Sequence, residues 1–163
     1  MAKTIDKAAL VSQIRVSLER ELAILRESAK SAREGATHPD AKPENDKDTR
    51  ALEAGYLAGA QAGRVSALQK TIAELEFFVL REFRKGDPIA VSALVEVDVD
   101  GATVSYFIAS AGGGLKLNVD GAAVLVVTPE APLGEALVSK RAGDVFELRA
   151  GGKLREYEIL AVR

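Results

Sequence analysis

Cysteine and tryptophan are absent from the 163 residues, and histidine occurs once, at His38. Without cysteine the chain can form neither a disulfide nor a thiolate metal site, which fits a reducing compartment. No apolar run approaches the roughly 20 residues that a membrane helix needs. The opening MAKTIDKAALVSQIRVSLERE lacks the apolar core and small-residue cleavage site of a signal peptide. The expectation is a soluble, cytoplasmic protein that works as a monomer away from membranes. Strong charge of one sign is also missing. The net charge is −2, which argues against a protein that coats nucleic acid. The imbalance between the halves is mild: residues 1–86 hold 15 Lys/Arg against 13 Asp/Glu, and residues 87–163 hold 7 against 11.

What is present is a globular composition, 47% hydrophobic and 28% charged, enough for one or two small domains. The first half carries a seven-residue repeat. Val11, Leu18, Leu25 and Ala32 recur at intervals of seven, with Ile14 and Leu22 between them. A second segment answers with Ala58, Val65, Ile72 and Val79, and with Gln61, Leu68 and Leu75 offset by three. This a/d pattern makes an apolar seam on each helix that only a partner helix can cover. Gly35, Pro39 and Pro43 break the pattern, and Asp48 or Thr49 is placed to cap the second helix. A short break between two seams predicts an antiparallel helical hairpin, a coiled coil over residues 1–86. With arms of roughly 30 to 37 residues it would be about 45–55 Å long. Toward the loop the seam thins to Ala54, Ala58, Ala60, Ala62 and Gly63 opposite Ala29 and Ala32, which predicts a slender tip.

The tip, residues 35–48, is rich in carboxylates: Asp40, Glu44, Asp46 and Asp48. Asp46 and Asp48 suit the start of the following helix, through its dipole and cap. Arg50, Glu53, Tyr56, Gln61 and Arg64 form a polar set behind the tip, either an exposed helix face or a contact surface. His38, alone on the loop, is read as solvated.

At Lys85-Gly86-Asp87-Pro88 the helical pattern gives way to alternation. Val91–Val99 and Ala102–Ser110 alternate apolar and polar residues about Asp100-Gly101, a tight-hairpin dipeptide. Ala122–Thr128 reads as a buried strand and Pro132–Lys140 as a short helix opened by proline. Ala142-Gly143-Asp144 turns into VFELR, and Leu154–Val162 closes the chain. Residues 87–163 are therefore expected to form a small antiparallel α+β domain.

Thr128–Leu160 resembles the C-terminal signature of the Gre transcript-cleavage and elongation factors of bacterial RNA polymerase. The elements that match are Pro129, Pro132-Leu133-Gly134, Ala136-Leu137, Gly143-Asp144 and Tyr157-Glu158-Ile159, in order over about 30 residues. The resemblance implies an N-terminal coiled coil joined to a C-terminal domain of FKBP-like fold. Tyr106, Phe107, Phe146 and Tyr157 are few for the aromatic pocket of a prolyl isomerase, so that activity is not expected.

The resemblance also implies a function. A Gre-type factor binds core RNA polymerase and inserts its coiled coil into the secondary channel. Tip acids there help to hold a Mg²⁺ shared with the polymerase, which cleaves backtracked transcripts. The factor would then be no enzyme itself and would hold no tight cofactor, and indirect contact with nascent RNA follows. The family's tip has an acid two residues before a Lys-Glu-Asn. Asp40, Lys42, Glu44 and Asn45 match it, with Pro43 inserted, and the family's later tyrosine has no counterpart. Asp40 and Glu44 are thus the expected catalytic and metal-holding pair, with Asp46 and Asp48 as further candidates. Leu133, Gly134, Asp144 and Arg50 are the expected partner contacts. The alternative is a non-catalytic relative that occupies the same channel and inhibits or tunes the polymerase.

Overall fold

A computed structural model of the chain describes residues 4–37 and 49–163. They divide into two compact units. Arg15–Phe77 form one, and the residues up to Ile14 join Phe78–Arg163 in the other.

Helix α1 spans Lys7–Thr37 and helix α2 spans Arg50–Leu75. The Asp6 carboxylate opens α1 by accepting the Ala8 N–H at 2.9 Å, which satisfies one of the donors that a helix start leaves unpaired. Thr49 takes the cap position of α2, but its hydroxyl donates to the Glu53 carboxylate at 3.1 Å rather than capping the backbone. Between Arg15 and Phe77 the two helices run antiparallel. Arg15 pairs with Glu76 at 3.6 Å, Leu25 shares a groove with Leu68, and Ala29 shares the next with Ala58 and Ala62. Leu18, Leu22 and Leu75 are buried. The better-covered positions of α2 then follow the heptad, at Ala51, Ala54, Ala58, Gln61, Val65, Leu68 and Ile72.

The second helix ends at Leu75, well before the Lys85-Gly86 break at which the helical pattern stops in the sequence. Aromatic burial explains the early end. The Phe78 ring packs against Phe107 at 6.2 Å, and Phe83 packs on the globular core under Lys7 and Arg81, whose cationic groups stand 5.0 and 5.2 Å from its centroid. A continued helix would turn these side chains to different faces. Val79, expected in the seam, is instead exposed.

In the globular unit β1 (Leu94–Val99) and β2 (Ala102–Ile108) form the hairpin expected at Asp100-Gly101, where both residues have positive φ, 52° and 89°. A second Asp-Gly turn, at Asp120-Gly121, joins β3 (Lys116–Val119), which the sequence pattern did not announce, to β4 (Ala122–Val127), the buried strand expected at Ala122–Thr128. Helix α3 is short, Pro132–Leu137, and stops where Ser139 turns to φ 72° so that its N–H reaches the Ile89 carbonyl. Strands β5 (Val145–Ala150) and β6 (Lys153–Val162) complete one six-stranded sheet, in the order β3-β4-β2-β1-β6-β5. The sheet is mixed rather than wholly antiparallel. Strand β4 folds back from the edge strand β3 and inserts beside β2, with which it pairs in parallel, while the other four pairings are antiparallel.

The period of two sends alternate residues to opposite faces of this sheet. Val95, Val97, Tyr106, Ile108, Tyr157 and Ile159 gather with Leu137 of α3 in the core on one face. Phe107 and Val126 lie side by side on the other, fully or almost fully buried. The start of α1 belongs to this unit. Leu10 and Ile14 are completely buried, and Ile14 lies against Gly112. Lys7 donates to the carbonyls of Arg81, Ser92 and Arg163, tying three distant segments together; its desolvation pushes the ammonium pKa down, with Glu82 opposing.

Candidate partner-binding site

The first residues of the C-terminal signature meet where α3 begins. Thr128 follows the end of β4, its carbonyl accepts the Ala131 N–H at 3.1 Å, and Pro132 starts α3 with its ring where no N–H is needed. Gly134 then lets the helix lie directly on that loop, since a Cβ there would sit 1.9 Å from the Thr128 carbonyl oxygen. Gly134 is buried. Its place is in the helix-to-loop packing, beneath the surface that a partner could touch.

Beside this contact lies a cleft of about 600 Å³ between α3 and the sheet. Leu133 and Pro132 form one wall, and Tyr106, Leu125, Tyr157 and Leu148 form the floor and far side. The lining is mainly apolar. This is within the size range of sites that accept a small molecule or an anchoring side chain. Tyr157 is stacked on Phe146 at 5.0 Å, and Lys140 stands 5.5 Å over the Phe146 ring. Desolvation raises the Tyr106 phenol above its ordinary pKa, the nearby Tyr157 adds to the rise, and Arg155 opposes it.

Of the expected contact residues, Leu133 is half-buried in this wall, where it packs against the core. Asp144 is exposed on the turn before β5. Its carboxylate accepts the Arg141 N–H at 2.7 Å, and its carbonyl accepts the Ile159 N–H at 2.9 Å, so it also fixes the turn. Arg50 is the first, exposed residue of α2, in the helical unit. Asp40, Glu44, Asp46 and Asp48 lie outside the described residues. Among the described residues there is no group of three or more His, Asp or Glu that could hold a metal ion. No helix of the described residues is long and apolar enough to cross a membrane.

Tyr106, Leu125 and Leu148 went unnoticed in the sequence as residues of one site. Alternation gives the face of each strand but not the neighbour. The strand order places β2 and β6 on either side of β1, with Tyr106 opposite Val95 and Tyr157 opposite Val99, and so brings the two phenols to one cleft.

The helical unit has a groove of about 300 Å³ between α1 and α2. Arg26, Lys30 and Arg33 line it at helical spacing, opposite Ala58, Ala62 and Gln69. Lys30 also lies 4.0 Å from Glu34.

No family model matches the chain. A transcription elongation factor GreA from Methylococcus capsulatus is 25% identical over 132 residues, covering 80% of this chain and 77% of the relative. Solved structures of Gfh1, described as a GreA factor homolog, from Thermus thermophilus and of Gfh1 from Thermus aquaticus are 21% identical, with TM-scores of 0.39 and 0.40. They cover 91% and 90% of this chain, and 94% and 91% of theirs.

Proposed function

We propose that this chain is a transcription elongation factor that binds RNA polymerase. The signature over Thr128–Leu160 and the likeness to GreA agree on a Gre-family factor. One observation carries the reading. Two signature residues that are not buried, Pro132 and Leu133, wall an apolar cleft together with the signature's buried Tyr157. A cleft built from those residues is the natural anchor for a partner's apolar side chain. In this reading the globular unit docks and the helical arm enters the polymerase secondary channel. Arg26, Lys30 and Arg33 on the arm suit an anionic backbone such as nascent RNA.

The tip then acts in trans, and the polymerase remains the enzyme. Asp40 and Glu44 are hard oxygen donors of the kind Mg²⁺ takes, and one or two carboxylates suffice because the ion keeps several waters. Bound there, the ion would supply Lewis-acid assistance to hydrolysis of a backtracked transcript. A second reading, a channel-occupying regulator without cleavage, is favoured by Pro43, which separates Asp40 from Glu44 by one residue more than the family pattern.

The test uses the full chain with core RNA polymerase and with stalled, backtracked elongation complexes in Mg²⁺. Binding is expected, with release of short 3′ RNA fragments. Replacing Asp40 and Glu44 together by alanine should stop the release and leave binding intact. Binding without release selects the second reading, and absence of binding overturns both.

A further inference from the structure

The sheet ends on one side at β5, whose outer edge has no neighbouring strand among the described residues. On the inner side Phe146 faces Tyr157, Leu148 faces Arg155 and Ala150 faces Lys153. Just before the strand the Ile159 N–H bonds to the Asp144 carbonyl. Antiparallel bonding recurs at every second residue. Phe146, Leu148 and Ala150 therefore turn their backbone groups toward β6, and Val145, Glu147 and Arg149 turn theirs outward.

An open edge of this kind is a template for another strand unless something protects it. Proline, lysine and runs of like charge are the usual guards, and VFELRA has none of them. Its two charges are opposite in sign and two residues apart. The other edge of the sheet differs. Strand β3 carries Lys116, and the Asn118 carbonyl is already occupied by the Gln13 side-chain amide at 2.8 Å.

We propose that the β5 edge is a self-association site, at which a second copy of this chain adds its own β5 in antiparallel register. Outward backbone groups must meet outward ones, which restricts the pairing to registers that set odd-numbered residues opposite each other. Centring the two-fold on Leu148 meets that condition and sets Glu147 of each copy opposite Arg149 of the other. The ion pair forms twice, on the face where both residues are exposed. On the opposite face Leu148 meets Leu148, and Phe146 meets Ala150. All three are half-buried in the single chain and lose further apolar surface to water on pairing. The commitment to a second copy, rather than a foreign strand, rests on this self-complementarity of charge.

Sedimentation equilibrium of the full chain over a wide concentration series, at low and high salt, tests the proposal. The wild type is expected to show a monomer–dimer equilibrium that weakens with salt. Glu147→Arg places arginine opposite arginine, and Arg149→Glu places glutamate opposite glutamate. Because each change counts twice, each should weaken association by about tenfold or more. The double variant, Glu147→Arg with Arg149→Glu, restores opposite charges and should restore association. Far-UV circular dichroism checks that each variant is folded, and the double variant alone decides if a single one is not. A wild type that stays monomeric throughout overturns the proposal. So do single variants that associate as well as wild type, or a double variant that fails to recover.

Discussion

The α-carbon of Gly134 lies so close to the Thr128 carbonyl that a Cβ built on it would fall 1.9 Å from the oxygen and 2.8 Å from the carbonyl carbon. The obstacle is backbone at the end of β4, and that backbone is already held, since the same carbonyl accepts the Ala131 N–H. Neither side can yield without moving α3 off the sheet.

Gly134→Ala should therefore destabilise the protein by about 3 kcal/mol, at the upper end of overpacking costs. Urea denaturation followed by circular dichroism measures it. Because α3 also walls the cleft, displacement of the helix should, on the proposed function, weaken binding to RNA polymerase in parallel. A variant as stable as wild type would mean that the loop and α3 are not in this contact.

Glycine plays the opposite part on α2. Gly59 lies within that helix with nothing within 4 Å of where its Cβ would stand. A glycine inside a helix costs about 1 kcal/mol relative to alanine, through backbone entropy in the unfolded chain. Gly59→Ala should raise stability by about that amount, read as a higher denaturation midpoint with an unchanged slope. A loss instead would show that the position is not open.

The contrast between these glycines shows what the sequence could convey. The heptads foretold the helical hairpin because each depends only on spacing along one helix, as does the Asp100-Gly101 turn between adjacent strands. Gly134 stood out in the signature without revealing whether it faced a partner or the interior. Its role depends on where β4 ends relative to α3, which is a tertiary relationship. The end of α2 at Leu75 was hidden for the same reason: Phe78 fits a helical seam until Phe107 is there to receive it. The parallel insertion of β4 beside β2 likewise needs strand order, which alternation cannot encode.

Tyr106 gives a prediction for alkaline pH. Burial raises its phenol above the ordinary value near 10, so the folded state holds this proton where the unfolded state has released it. The stabilisation is fully present below about pH 10 and is lost as pH rises through the folded value. Titration followed by phenolate absorbance should show a late tyrosine step that disappears in Tyr106→Phe. The same variant should lose less stability than wild type across that window. Removing the second hydroxyl with Tyr157→Phe should bring the late step to lower pH, because the Tyr157 contribution acts in the raising direction. Unchanged titration in Tyr106→Phe would assign the late group elsewhere.

Gln61 interrupts the apolar seam of α2 at a position where the heptad calls for a hydrophobic residue. Its side-chain oxygen is buried and has no hydrogen-bond partner among the described residues. A buried acceptor left unpaired costs about 1–3 kcal/mol, whereas a leucine of similar volume has no polar atom to desolvate. Gln61→Leu should therefore stabilise the hairpin by about 1–2 kcal/mol. The gain belongs to the helical unit, so hydrogen exchange should report it at amides of Arg15–Phe77 and leave the sheet unchanged. Polar residues in such seams can also fix pairing register. If Gln61 has that duty, the leucine variant will gain stability and lose a single register, seen as doubled or broadened amide resonances along α2. A loss of stability would show that the oxygen is satisfied after all.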